Sequence, residues 1–103
     1  MIEQQILSCL LQDNSLITDT LLQPKHFQNK IYKTIFTEIK KLANEGKVVD
    51  QVTLLERLYD KLPSHNDIEY ITNLEVLGNV DNFSSYEKEL LDKYTKLKTI
   101  EIL

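Results

Sequence analysis

The sequence predicts an all-α protein, with a small helical globular head followed by a C-terminal antiparallel helical hairpin. Apolar residues recur at steps of three and four along almost all of the 103 residues, which is the spacing of an amphipathic helix. With only two glycines and two prolines, long helices are possible. The strand signal is limited to Lys47-Val48-Val49, which is too short to build a sheet. We therefore expect one domain over residues 1–103, with the head at 1–63 and the hairpin at 64–103.

Two helices open the predicted head. The first carries one apolar stripe, made of Ile2, Ile6, Leu7, Cys9, Leu10 and Leu11. Asn14 is a candidate N-cap for a short second helix that carries Ile17 and Leu21. Pro24 ends this helix or lies just beyond it, because the residue before a proline avoids the helical conformation.

The third helix has the clearest pattern in the chain. Its stripe and flanking apolar residues are Ile31, Ile35, Ile39 and Leu42, with Tyr32, Phe36 and Ala43 beside them. Lys40 and Lys41 lie in the last turns, where cations favour the helix dipole. Gly46 is the expected C-terminal cap, since glycine adopts the left-handed conformation without strain.

The fourth helix completes the head. Its apolar side is supplied by Leu54, Leu55 and Leu58. Its start stays open between two alternatives, an N-cap at Asp50 and a capping box formed by Thr53 and Glu56. The polar segment 62–66 then breaks the helical pattern.

The predicted hairpin has two helices and a turn at Gly78-Asn79. The first helix carries Ile68, Ile71 and Leu74, with Tyr70 on its flank. The second repeats apolar and aromatic residues over four turns, at Phe83, Tyr86, Leu90, Tyr94 and Leu97. Ser84 and Glu87 form a candidate capping box near its start.

The last helix reaches Leu103 without a stop signal, because Ile100 and Ile102 are apolar and no glycine or proline follows them. We expect the fragment to continue into a longer protein. The alternative is a natural terminal helix that docks on the core.

Composition narrows the class of protein. A net charge of −4 argues against a dedicated duplex-DNA binder, which needs a basic face for the phosphates. The apolar runs are too short to span a bilayer, and the first residues lack the basic region of a signal peptide. The single Cys9 cannot form an internal disulfide, so we expect a cytoplasmic protein.

The sequence predicts neither a catalytic residue nor a cofactor or metal site in this fragment. It has no G-x-x-x-x-G-K-[ST] loop and no G-x-G-x-x-G fingerprint, so we expect it not to bind or hydrolyse ATP. A zinc site needs clustered ligands, whereas Cys9, His26 and His65 are far apart. Cys9 is expected to be a buried small hydrophobe, His26 a surface residue beside Phe27, and His65 a loop residue.

The hairpin is the predicted interaction surface. A projecting hairpin cannot cover all its apolar sides internally, and exposed apolar patches mark interfaces. The candidate interface residues are Tyr70, Phe83, Tyr86, Leu90, Tyr94 and Leu97. The alternative is that they cover the head of the same chain, and we favour interface over core for Tyr86, Leu90 and Tyr94.

Acidic and basic residues alternate along the last helix, which is typical of a solvated face with intrahelical pairs. These residues are Glu87, Lys88, Glu89, Asp92, Lys93, Lys96 and Lys98. A DNA track is the weaker interpretation, because the interleaved acids would cancel the positive field.

Several spaced motifs together resemble the N-terminal domain of the DnaB-like hexameric replicative DNA helicases. They are Glu3 to Leu7, the Leu22-x-Pro24-x-x-Phe27 turn, the Ile35-Phe36 pair, the junction Gly46, Val49, Asp50, Val52, Thr53 and Leu54, and the Tyr70-Ile71 pair. The similarity covers essentially the whole chain, and the order and spacing of the pieces make it fairly specific.

The chain departs from the family pattern mainly in the hairpin. Tyr32 stands where the family often has His, Asn66-Asp67 replaces a Gly-Gly pair, and Ser85-Tyr86 replaces a tyrosine pair. The hairpin turn also lacks the usual proline. These departures favour a divergent phage or mobile-element relative, and they make pairing geometry and partner choice the features least safely transferred.

The resemblance implies a non-catalytic collar domain. In the family, hairpins pair into dimers and three dimers form a collar on the ring of motor domains, which also helps to bind primase and a helicase loader. The parent chain would be an ATP-dependent helicase that uses ATP and Mg²⁺ and contacts single-stranded DNA through its other parts.

Two other hypotheses are kept. One is a free-standing helical adaptor or inhibitor that binds a host helicase or loader and has no motor activity. The other is a small DNA-binding helical protein, for which strongly salt-dependent affinity for DNA would be diagnostic.

Overall fold

Five α-helices are found in the residues that the structure describes, which are 2–62, 69–72 and 74–102, with the backbone alone at 75 and 99–102. In this computed structural model they span Ile2–Gln12 (α1), Ser15–Asp19 (α2), Lys30–Asn44 (α3), Gln51–Leu58 (α4) and Phe83–Ile102 (α5). Three short 3₁₀ turns lie at Pro24–His26, Leu74–Val76 and Val80–Asn82. No strand occurs in the described segments, and the predicted all-α class is confirmed.

The start of α3 is held by two side chains. Asn29 is its N-cap, and Oδ1 accepts from the backbone N–H groups of Ile31 at 2.8 Å and Tyr32 at 3.1 Å. The buried carboxylate of Glu3 accepts from the N–H groups of Gln28 and Asn29, each at 3.2 Å. Helix α1 therefore positions the start of α3 through a carboxylate that satisfies two backbone donors.

The end of α3 and the start of α4 follow standard capping chemistry. Gly46 has φ +76°, and this confirms the predicted glycine cap. Of the two alternatives for α4, the structure shows the Asp50 cap, with Oδ1 accepting from the N–H of Thr53 at 2.9 Å. The hydroxyl of Thr53 in turn accepts from the N–H of Asp50 at 3.0 Å. The Thr53-Glu56 alternative is wrong.

Asn14 occupies the N-cap position of α2, as predicted, but its side chain makes no capping hydrogen bond. Its Nδ2 donates to the carbonyls of Leu10 at 2.9 Å and Val49 at 2.8 Å, and its Oδ1 accepts from the N–H of Val49 at 2.9 Å. The side chain therefore joins the end of α1 to the segment before α4. Leu21 was placed on α2, but it lies beyond the helix and is 72% exposed, while Leu22 is buried.

One hydrophobic core joins both predicted parts of the chain. α1 packs against α5 and the Leu74–Val76 turn, and α3 packs against α1 and α4. The buried apolar residues are Ile6, Leu7, Cys9, Leu10, Leu11, Ile17, Leu22, Phe27, Tyr32, Ile35, Phe36, Ile39, Leu42, Val49, Leu54, Leu58, Ile71, Leu74, Phe83 and Leu90. The first part of α5 is thus a wall of the head instead of a projecting arm.

The first hairpin helix can be compared with its prediction only in part. Ile68 and most of the predicted break, residues 63–66, lie outside the described residues. Residues 69–72 form turns, and Leu74–Val76 is a 3₁₀ turn. Ile71 and Leu74 are nevertheless fully buried, as expected for the apolar side of that element.

A cluster of ion pairs fixes α3 to α4. Glu38 is buried, and its Oε1 accepts from Nζ of Lys61 at 2.6 Å, while its Oε2 lies 3.6 Å from Arg57. Arg57 also makes a bidentate contact with Glu45, at 2.7 and 2.9 Å. This paired geometry lowers the pKa of Glu45 to about 2, because its charged form accepts hydrogen bonds from Arg57 and Lys47.

Candidate interaction surface

The predicted interface residues on α5 fall into two groups. Phe83 and Leu90 are buried in the core of the chain itself, with exposed fractions of 6% and 0%. The interface prediction for these two is wrong, because the first half of α5 lies along α1 and buries the stripe there. Tyr86, Tyr94 and Leu97 are half-buried, so part of each side chain remains available on the surface.

Tyr70, the predicted interface residue outside α5, also contacts its own chain. Its ring meets the buried ring of Tyr32 edge to face, with centroids 5.2 Å apart and an interplanar angle of 71°. Burial and the neighbouring groups Tyr70 and Glu3 raise the pKa of the Tyr32 hydroxyl. The other part of Tyr70 stays exposed beside Glu69.

Tyr94 links the second half of α5 to the turn at Pro24–His26. Its ring stands edge to face against the imidazole of His26, with centroids 4.8 Å apart and an interplanar angle of 86°. The ammonium groups of Lys25 and Lys98 lie 6.0 and 5.8 Å from the ring centroid, which is the range of a cation–π contact. Leu97 follows one turn later on the same side of the helix.

His26 is buried, and its predicted place on the surface is wrong. Its Nδ1 accepts from the backbone N–H of Gln23 at 2.9 Å, which closes the 3₁₀ turn. This bond needs the neutral ring, since protonated imidazole has no acceptor. Burial, and then the charge of Lys25, lower the pKa of His26.

Lys25 and Lys98 flank the Tyr94 ring, whereas Lys93 and Lys96 line a groove together with Glu89 and Asp92. Between 93 and 98 the sequence has three lysines and no acidic residue. The carboxylate of Glu87 accepts from Thr20 Oγ1 at 2.5 Å and from the N–H of Leu21 at 3.0 Å. Glu87 therefore does not form the predicted capping box.

An exposed apolar strip on α4 was not predicted. Val48, Val52 and Tyr59 are 70%, 64% and 62% exposed. Val52 and Tyr59 are seven residues apart, so they share one face of α4, opposite Leu54 and Leu58 in the core. The seven-residue spacing is visible in the sequence. The helix prediction was based on Leu54, Leu55 and Leu58, so the opposite face was given no role. The α4 strip is defined here as Val48, Val52 and Tyr59, with Glu56 and Asp60 at its rim.

The acidic and basic residues around the α4 strip differ in whether they form ion pairs. Within the described part of the chain, Glu56 and Asp60 form no ion pair. The neighbouring cations Arg57 and Lys61, by contrast, are held by Glu45 and Glu38. The rim of the strip is therefore acidic, although basic residues are close to it in the sequence.

The described residues offer neither a cluster of metal ligands nor an accessible thiol. No three His, Cys, Asp or Glu side chains among them are arranged to hold a metal ion. The only cysteine, Cys9, is buried, and burial raises its pKa to about 11, which makes the thiol a poor nucleophile. None of the helices in this part of the chain is long and apolar enough to cross a membrane.

Comparisons with known proteins place this helical domain in a family. The sequence matches the DnaB-like helicase N-terminal domain over residues 1–92, and the chain belongs to that family. No curated protein sequence matches it. Among solved structures, it is similar to a DnaB-like replicative helicase described together with its interactions with primase, with a TM-score of 0.83 and 26% sequence identity. That match covers 98% of this chain and 25% of the helicase, so the chain spans about a quarter of its relative's length.

Proposed function

We propose that this domain is the non-catalytic N-terminal collar of a hexameric replicative DNA helicase. Its work is to bring subunits together in dimers and hexamers and to dock primase or a loader during DNA replication. The observation that supports this most is the match to a replicative helicase over 98% of the chain, because that helicase was described with primase.

The collar domain and the motor are separate parts of the parent chain in this proposal. Unwinding, with ATP and Mg²⁺ as cofactors and single-stranded DNA as the track, belongs to the parent chain in the cytoplasm. This domain has only two glycines and lacks the phosphate-binding loop that ATP chemistry requires. Its contribution is binding, through side chains that its own core leaves partly uncovered.

The half-buried residues of the second part of α5, with Tyr86 and Tyr70, form the proposed pairing surface. Tyrosines suit this role because they bury a large area and keep a polar tip. Tyr94 contacts His26 of the Pro24–His26 turn, away from the buried residues Phe83 and Leu90. A partner subunit can therefore bind there without disturbing the core.

Sedimentation velocity of the domain tests the assembly role. Leu97→Asp places a charge on the pairing surface without entering the core, and we expect weaker self-association with an unchanged helical signal. Ser85→Asp, an exposed position on the outer side of α5, is the matched control and should self-associate like wild type. Unchanged association of the Leu97→Asp variant would place the pairing surface elsewhere.

Primase docking and the presence of a motor need separate tests. Calorimetric titration of the domain with the primase from the same source should show specific binding, and no binding would remove that role. Sequencing the gene beyond codon 103 tests whether the parent chain contains a motor domain. An open frame with a G-x-x-x-x-G-K-[ST] loop supports the helicase, and a stop codon favours the adaptor or inhibitor that binds a host helicase.

A further inference from the structure

We propose that the α4 strip docks a cationic amphipathic helix of a different protein. The partner helix lays an apolar stripe along Val52 and Tyr59 and brings lysine or arginine side chains to Glu56 and Asp60. The strip shares no residue with the proposed pairing surface, which lies on α5 and at Tyr70. This contact is therefore separate from the assembly of subunits.

The α4 strip is a row of apolar side chains that reaches solvent. Val52 and Tyr59 are 64% and 62% exposed, and they lie two turns apart, which is roughly 10 Å along the helix. Leu55 lies between them in the sequence and is half-buried. Val48, 70% exposed, precedes them at the entry to the helix. Single exposed apolar residues are common, whereas a row of this kind marks an interaction surface.

The entry to the strip is held in place by the domain itself. The hydroxyl of Thr53 donates to the carbonyl of Val48 at 3.1 Å, which fixes this residue beside the first turn of α4. The next residue, Val49, is buried, and its N–H donates to Oδ1 of Asn14 at 2.9 Å. A partner does not have to order this surface, which lowers the entropic cost of binding.

The form of the strip favours a helix as its partner. The described residues contain no strand, so this part of the chain offers no sheet edge to which a partner could add a strand. The α4 backbone is hydrogen-bonded within its own helix, so recognition must come from side chains. A second helix packs along such a row by fitting ridges of side chains into grooves. Apolar residues three, four and seven positions apart on the partner give the matching stripe.

One edge of the strip is acidic. Glu56 and Asp60 are four residues apart at the end of α4, so their side chains stand along the same side. Both residues are exposed, and neither forms an ion pair in the described part of the chain. A partner that brings cations to this edge is attracted, and an anionic partner is repelled.

The cations next to this edge are already engaged. Arg57 donates to both carboxylate oxygens of Glu45, and Lys61 donates to Glu38 at 2.6 Å. Because Glu38 is buried, withdrawing Lys61 would remove the closest charge that compensates it. A cation for the acidic edge must therefore come from the partner.

Binding of a designed peptide tests the contact. The probe is a fluorescein-labelled, alanine-based peptide of about eighteen residues, which is long enough to form a helix alone. Its leucines are three and four residues apart on one face, and its lysines follow one edge of that face. Fluorescence anisotropy at about 0.15 M salt measures its affinity for the domain. A peptide of the same composition with the leucines spread around the helix should bind at least about tenfold more weakly, and so should one with glutamate in place of lysine.

Two pairs of substitutions test the two parts of the strip. Glu56→Lys with Asp60→Lys should weaken binding of the probe at least about tenfold, because the acidic edge becomes basic. Val48→Gln with Val52→Gln should weaken it about tenfold as well, because apolar contact is removed without a change in charge.

Matched controls separate the strip from general effects of charge and apolar surface. Asp19→Lys with Asp81→Lys makes the same change in net charge as the first pair, at exposed positions elsewhere. Leu21→Gln with Val76→Gln removes two apolar side chains that are 72% and 77% exposed and lie outside the strip. Both controls should bind the probe like wild type. Circular dichroism of every variant verifies that the fold is kept.

The outcomes decide between a specific contact and its alternatives. Weaker binding in both strip variants, with both controls unchanged, supports the contact. No binding of the probe, equal binding of all three peptides, or a loss shared by the charge control overturns it. Weaker self-association of the strip variants in sedimentation velocity would make a second copy the occupant, and the proposal would again be wrong. Sedimentation of Leu97→Asp and titration with primase test the collar function separately, so either proposal can fail alone.

Discussion

The backbone of Gly78 is hydrogen-bonded to the side chain of Ser8, with its N–H donating to Oγ at 2.8 Å. The carbonyl of Gly78 accepts from Nε2 of Gln12 at 2.7 Å, so the turn before α5 is fixed to α1 from both sides. A Cβ at Gly78 would lie 2.5 Å from the carbonyl oxygen of Gln5 and 3.1 Å from Sγ of Cys9. The residue is a glycine because α1 occupies the space that any side chain needs.

Gly78→Ala should therefore destabilise the domain by about 2 kcal/mol, because the turn has to move away from α1 and weakens both hydrogen bonds. Urea unfolding followed by circular dichroism measures the loss. Gly46→Asn is the control, since asparagine tolerates a positive φ and nothing lies within 4 Å of a Cβ there. Equal losses for both variants would show that the close approach at Gly78 has no energetic weight.

Leu90 is a core residue in this structure, and its substitution should act on folding. Leu90→Ala removes a fully buried side chain between α5 and the head, and we expect a loss of about 3 kcal/mol in the free energy of unfolding. Leu21→Ala is the matched control at an exposed leucine and should change stability by less than about 0.5 kcal/mol. A stable Leu90→Ala variant with weaker self-association would restore Leu90 to the interface.

His26 should make stability depend on pH. The pKa of this group is lowered in the folded state, so the stability it contributes is present above its ordinary value of 6.5 and is lost as the pH falls through its folded value. Thermal unfolding between pH 7 and pH 5 should show a falling midpoint for wild type. His26→Gln should flatten that fall, whereas His65→Gln should follow wild type. A parallel fall in the His26→Gln variant would assign the effect to other groups.

The sequence was sufficient for the elements whose signals are local. The three- and four-residue steps of α1, α3 and α5 follow from helix geometry, and Gly46 ends α3 because of its own backbone freedom. The burial of Cys9 followed from its apolar neighbours in the same helix. Such features depend on residues a few positions apart, which a single sequence displays directly.

The features that were missed depend on residues far apart in the chain. The sequence indicates the N-cap position of Asn14, but it does not indicate the hydrogen bond from that side chain to Val49, thirty-five residues later. An apolar stripe on the last helix fits both a partner and the chain's own core, so only the packing of α1 on α5 separates Leu90 from Leu97. His26 was predicted to be exposed because the residues near it in the sequence do not indicate its contact with Tyr94, which lies on another element.

The ion pairs around Glu38 limit which charged residues on and beside α4 can be replaced. Arg57 and Lys61 compensate the buried carboxylate of Glu38. Replacing either one therefore lowers the folding stability of the domain. Glu56 and Asp60, which carry no such duty in the described chain, are free to drift. Substitutions at Glu56 and Asp60 can therefore change the charge of the exposed face of α4 without removing an ion pair that joins α3 to α4.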